Sequence, residues 1–227
     1  MQTELRDIQN QDEWPETVLS LEQIPDAPHL LSFSREKNSH RGIGEFKTLR
    51  KLSARGVNEA FLREICELEH LEYLEMETIT AVELEPIAQL RNLQTLKLRA
   101  VRKADEFGPL LELPGLQRLF IENAKHLSSL EFLAEANHLR AIGVEGSMWT
   151  KQRIEGLSAL SHLEKLEGLF LTAVSLRNKS LRCLAEIPNL RVMECARFAP
   201  KSEFDLLRAL MPHLKCRWCD AYDIPKL

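Results

Sequence analysis

The chain has 227 residues, a formal net charge of -4 and 44% hydrophobic residues. With a pI near 6.0 it offers no basic footprint for nucleic acid. No run of about 18 apolar residues occurs, and the polar start Met1-Gln2-Thr3-Glu4 lacks the apolar core of a secretory signal, so neither a membrane span nor export is expected and a cytoplasmic location is.

Residues 1–45 read as an N-terminal cap. Met1 to Glu16 is polar, with Trp14-Pro15 as its apolar marker. Val18, Leu21 and Ile24 have helical spacing that Pro25 and Pro28 end. His29 to Ser34 alternates as a strand does, with Leu31 and Phe33 inward, and the charged stretch Arg35 to Gly44 reads as a loop.

From residue 46 to the end one apolar pattern recurs, Φ-x-x-Φ-x-x-Φ-x-Φ, where Φ is apolar. It runs Phe46, Leu49, Leu52, Ala54; Leu68, Leu71, Leu74, Met76; Leu90, Leu93, Leu96, Leu98; and Leu113, Leu116, Leu119, Ile121. It continues as Ala136, Leu139, Ile142, Val144; Leu163, Leu166, Leu169, Leu171; Ile187, Leu190, Met193, Cys195; and Met211, Leu214, Arg217, Cys219. The eight second anchors are 22, 22, 23, 23, 27, 24 and 24 residues apart. Anchors two apart share one face of a strand, so each Φ-x-Φ predicts a short strand. Helical spacing predicts helices over Val57–Leu68, Val82–Leu90, Ser128–Ala136, Lys151–Leu163, Leu176–Ile187 and Glu203–Met211. His70, Asn92, Gly115, His138, Lys165, Asn189 and His213 precede the second anchors and mark corners, where asparagine and glycine tolerate left-handed backbone.

This spacing resembles leucine-rich repeats of the internalin-like and phosphatase-regulator-like kind, over residues 46–227. The resemblance implies an α/β solenoid with a parallel β-sheet on the concave face and helices on the convex face, its last unit a C-terminal cap. It also implies a protein-binding scaffold. One departure stands out: the family's usual turn asparagine is replaced by Ile79, Val101, Ala124, Ser147, Val174 and Phe198, so apolar packing must support those turns. A second is the 27-residue unit, whose extra residues fall at Gly146–Lys151 and include Trp149, either an exposed contact or a cover over the core.

No catalytic constellation is legible: H-E-x-x-H, G-x-x-x-x-G-K-[ST] and G-x-S-x-G are all missing. Of the seven histidines, His70, His138 and His213 sit at equivalent corners and not in a converging cluster. Five cysteines without a signal peptide default to free thiols. Cys216-Arg-Trp-Cys219 spells C-x-x-C, yet on a strand residues three apart face opposite sides, so the two thiols are expected to diverge.

The strand register places outward residues in columns. One runs Lys51, Tyr73, Thr95, Arg118, Ala141, Gly168, Val192, Cys216; the next Ser53, Glu75, Lys97, Phe120, Gly143, Phe170, Glu194, Trp218; the third Arg55, Glu77, Arg99, Glu122, Glu145, Thr172, Ala196, Asp220. Eight strands span on the order of 35 Å, enough for a protein or peptide. Phe120 and Phe170 flank glycines there and would form a shallow apolar depression rimmed by Lys97, Arg99, Arg118, Glu122 and Glu145. The partner-binding candidates are therefore Tyr73, Lys97, Arg99, Arg118, Phe120, Gly143, Glu145, Trp149, Phe170, Val192 and Trp218. The expected function is non-enzymatic binding of a partner protein on the concave sheet, without cofactor or metal. The alternatives are an inhibitor or immunity-type protein that blocks a toxin or enzyme, and a subunit of an enzyme complex.

Overall fold

The computed structural model describes residues 14–222, and two compact units divide them, one ending at His126 and one beginning at Leu127. In the first unit five strands pair in parallel and in register: β1 (Leu30–Ser34), β2 (Lys51–Arg55), β3 (Tyr73–Ile79), β4 (Thr95–Val101) and β5 (Arg118–Glu122). In the second, β6 (Ala141–Glu145), β8 (Gly168–Leu171) and β10 (Val192–Cys195) pair in parallel, and β7 (Gln152–Ile154) pairs with β9 (Val174–Leu176) in a two-stranded sheet. The inward anchors are buried from Leu49 to Met193. Each such leucine removed from water contributes roughly 2 kcal/mol.

The array begins one strand earlier than the repeat pattern. β1 pairs residue for residue with β2, Leu31 beside Leu52 and Phe33 beside Ala54, so part of the expected cap is itself a strand of the sheet. Val18 then bridges Phe33, and the helical spacing of Val18, Leu21 and Ile24 yields a 3-10 turn, Leu21–Gln23. At the other end the eighth pattern forms no strand. Lys215 makes a single bridge to Val192, and the chain then turns into a short helix, α3 (Arg217–Ala221). Arg217 is exposed and Cys216 buried, the reverse of the predicted register.

The backs of the repeats are less helical than the sequence pattern implies. Only α1 (Glu59–Cys66) and α2 (Lys201–Leu210) are α-helices of two turns or more among the described residues. Asn58 caps α1, its Oδ1 accepting from the Phe61 N–H at 3.0 Å, and the helix buries Phe61, Leu62 and Ile65. Elsewhere the predicted helices shrink to 3-10 turns at Glu85–Gln89, Glu131–Leu133, Ser158–Leu160 and Arg182–Glu186, and one lies at Gly108–Glu112. A 3-10 turn rises about 2.0 Å per residue against 1.5 Å for an α-helix, so it crosses the back of a short repeat with fewer residues. Pro86 and Pro109 at the turn starts suit it as well.

The strand exits bear out the apolar replacement of asparagine. Ile79, Val101, Ala124, Val174 and Phe198 are buried. Each of the first four follows a left-handed residue, Thr78, Ala100, Asn123 or Ala173, with φ between 52° and 58°. The corners before the strands work differently from the expectation, because Asn92 and Asn189 are not left-handed. Their amides donate to the preceding corner instead, Asn92 to the Glu69 carbonyl at 2.8 Å and Asn189 to the Glu164 carbonyl at 2.7 Å.

Candidate functional site

The outward columns of the first unit are charged and paired. Arg99 on β4 reaches across both neighbouring strands, its Nη1 donating to Glu75 at 3.1 Å and its Nε to Glu122 at 2.9 Å. Burial opposes the guanidinium charge, but the Glu122 and Glu75 carboxylates outweigh it and the Arg99 pKa is raised. Arg55 pairs with Glu77 at 2.9 Å, and Arg118 donates to Thr95 Oγ1 at 3.2 Å. Lys97 holds its ammonium 5.3 Å from the centre of the Tyr73 ring and 5.7 Å from that of Phe120. The Trp14 ring packs on Tyr73 at 5.7 Å. Tyr73, Lys97, Arg99 and Phe120 are thus brought together, but Tyr73 is buried and Phe120 only 7% exposed. Trp14 and Lys97 supply part of that cover, so neither ring is the open aromatic anchor the column pattern suggests.

In the second unit much of the first two outward columns is small or apolar and buried, while Glu145, Thr172 and Glu194 are half-exposed. Phe170 is 0% exposed, and Ala141, Gly143, Gly168 and Val192 are buried with it. Phe170 pairs in register with Gly143 and with Glu194. The predicted open depression anchored by Phe120 and Phe170 is therefore corrected: Phe170, Gly143 and Val192 keep their outward register but are buried. Glu145 stays half-exposed and accepts a hydrogen bond from Thr172 Oγ1. Arg140, Glu167 and Arg191 form an ion cluster at the starts of these strands, Arg140 Nε donating to Glu167 at 2.6 Å and Arg191 donating to its second oxygen.

Trp149 resolves in favour of exposure. The longer repeat leaves β6 at Gly146, whose N–H donates to the Thr172 carbonyl at 3.0 Å. A Cβ at Gly146 would lie 2.3 Å from the carbonyl oxygens of both Ala173 and Thr150, so only glycine fits. Ser147 closes the tip: its Oγ accepts from the N–H groups of Trp149 at 3.3 Å and Thr150 at 3.1 Å. Its own N–H donates to the Thr150 carbonyl at 2.8 Å. Beyond the tip Gln152 is buried and donates to the Leu127 carbonyl at 2.7 Å. The result presents Met148 at 87% and Trp149 at 88% exposure on a loop tied at both ends. Met148 escaped the candidate residues, although an apolar neighbour of Trp149 inside an insertion is a readable signal.

Trp218, assigned to an outward strand position, instead lies half-buried on α3, where its indole N–H donates to the Cys195 carbonyl at 2.6 Å. Among the described residues no group of three or more His, Cys, Asp or Glu side chains is arranged to hold a metal ion. His138 lies at its corner with its pKa lowered, first by burial and then by Lys165. No helix among the described residues is long and apolar enough to cross a membrane.

The relatives agree with this architecture. An internalin from Listeria monocytogenes superposes with a TM-score of 0.62 at 20% identity, covering 82% of this chain and 53% of its own. A leucine-rich-repeat protein from Leptospira interrogans gives a TM-score of 0.54 at 20% identity, covering 89% of this chain and 58% of its own. The chain thus spans little more than half the length of either. No curated protein sequence matches it. The model of the leucine-rich repeat region matches residues 28–225, from the residue two positions before β1 to beyond α3. With its buried leucine ladder, its parallel strands and that match, the chain belongs to the leucine-rich-repeat family, whose domains commonly mediate protein–protein interaction.

Proposed function

We propose that this chain is a non-enzymatic recognition module that binds a partner protein through the Met148–Trp149 tip, with half-exposed Glu145 of the same unit as a secondary contact. The exposed tryptophan carries the reading. A large aromatic held almost wholly in water loses the transfer free energy that burial would return, and it has no packing role to compensate. The Ser147 hydrogen bonds and the fixed Gly146 order the backbone around it, so little loop entropy is lost on binding. Tryptophan on a preordered loop is the kind of residue that dominates interface energies.

A photo-crosslinking amino acid placed at Trp149, in the full chain expressed in its native cell, tests this. The same group at Glu106, which is exposed in the first unit, serves as control. The expected result is one dominant protein adduct from position 149 that is missing from position 106. Equal adducts from both positions, or none from 149, would contradict the proposal.

A further inference from the structure

Three cysteines meet at the C-terminal end of the second unit. Cys195 closes β10, Cys216 precedes α3, and Cys219 sits one turn later with its N–H donating to the Cys216 carbonyl at 3.2 Å. The expectation that Cys216 and Cys219 diverge is overturned because the segment is helical there, not extended. Residues three apart in a helix have Cα atoms about 5 Å apart, within the 4.4–6.8 Å span of disulfides.

The fold does not need these thiols to anchor α3. The Trp218 indole does so through the Cys195 carbonyl, and the Arg197 guanidinium stacks 5.3 Å from the Trp218 ring and 5.4 Å from Tyr222. Cys216 instead lines an open cleft of about 650 Å³ together with Cys195, Met193, Arg208, His213 and Asp220. Its own exposure is only 2%, which closes the thiol to bulky disulfides.

We propose that Cys216 and Cys219 are a hydroperoxide-reactive dithiol, with Cys195 as the residue that positions the Cys216 sulfur. Hydrogen bonds from Cys195 and then from Cys219 hold the Cys216 pKa well below the ordinary thiol value. The same contacts, followed by burial, push Cys195 and Cys219 up. The thiolate is the nucleophilic form, and of the dithiol pair Cys216 is the one that lines the cleft, so attack begins there. Its sulfur bonds to one peroxide oxygen, the O–O bond breaks, and hydroxide leaves and is protonated to water. Cys216 is then a sulfenic acid. The Cys219 sulfur attacks it and loses its proton, the S–O bond breaks, and the departing hydroxide takes up that proton as a second water. Two thiols have been oxidised to one disulfide, and one hydrogen peroxide has been reduced to two waters.

The test uses the reduced full chain, freed of reductant, with one equivalent of hydrogen peroxide at pH 7. Samples are quenched with N-ethylmaleimide and digested with trypsin, which cuts after Arg217, so a Cys216–Cys219 disulfide appears as two linked peptides. Half-exposed Cys183 is an internal reference, its pKa raised mainly by burial. The expected result is a Cys216–Cys219 link forming ~10-fold or more faster than Cys183 oxidises, while Cys66 and Cys183 still take up maleimide. Cys219→Ser should stop at a dimedone-reactive sulfenic acid on Cys216, and Cys195→Ala should slow its formation. Oxidation of Cys216 no faster than Cys183 in the unmutated chain would overturn the proposal. So would a disulfide that joins Cys195 in place of Cys219.

Discussion

The two units solve the same sheet with opposite outward faces. In the first, the columns carry charge, and Glu75, Arg99 and Glu122 form a chain of ion pairs across three strands. In the second, the first two columns hold Ala141, Gly143, Gly168, Phe170 and Val192, all buried, and the charge left on the face is half-exposed Glu145 and Glu194. The repeats share their inward leucines, so the difference teaches that the inner face specifies the fold while the outer face is free to diverge. The most exposed of the second unit's large apolar side chains lie off the sheet, at Met148 and Trp149.

Mutations can break this contrast. The largest effect is expected at Phe170, where alanine should cost about 3–5 kcal/mol of stability in urea unfolding, as for a core phenylalanine. The sequence pattern, which placed that ring in solvent, implies almost no loss. Next comes Gly146→Ala, whose Cβ would meet two carbonyl oxygens; it should cost about 1–3 kcal/mol and loosen the tip, seen as faster amide exchange at Trp149 and Thr150. In the first unit Asn58→Ala removes the cap of α1 and should cost about 1 kcal/mol in the same urea titration. Arg99→Ala should cost less than about 1 kcal/mol, because the guanidinium is still 42% exposed and its pairs are screened, and the loss should shrink at high salt. Trp149→Ala should be nearly silent, within about 0.5 kcal/mol of the parent.

The sequence made the inward half of the fold legible because burial there is written into residue type: a leucine every two or three positions has one place to go. The outward columns were legible as positions, and every predicted register neighbour from Lys51 to Arg99 is found. Their exposure was not, since a side chain on an outward column is open only if nothing lies over it. For Tyr73 the cover includes Trp14, 59 residues away in sequence. The helices on the back failed for a different reason: apolar spacing of three and four fits a 3-10 turn beside a strand as well as a helix. At Lys151–Leu163 the same spacing covers β7 and a turn. The last register was lost because the next strand shortens to one bridge at Lys215 before α3 begins, and with it went Trp218 and the direction of both thiols.

The most direct measurement is the affinity of Trp149→Ala for the partner captured at that position, titrated beside the unmutated chain under one buffer and salt concentration. The account predicts binding weakened about 10- to 30-fold, the usual loss of roughly 2 kcal/mol for an interface tryptophan, with unfolding unchanged. Equal affinity for the two proteins would contradict it.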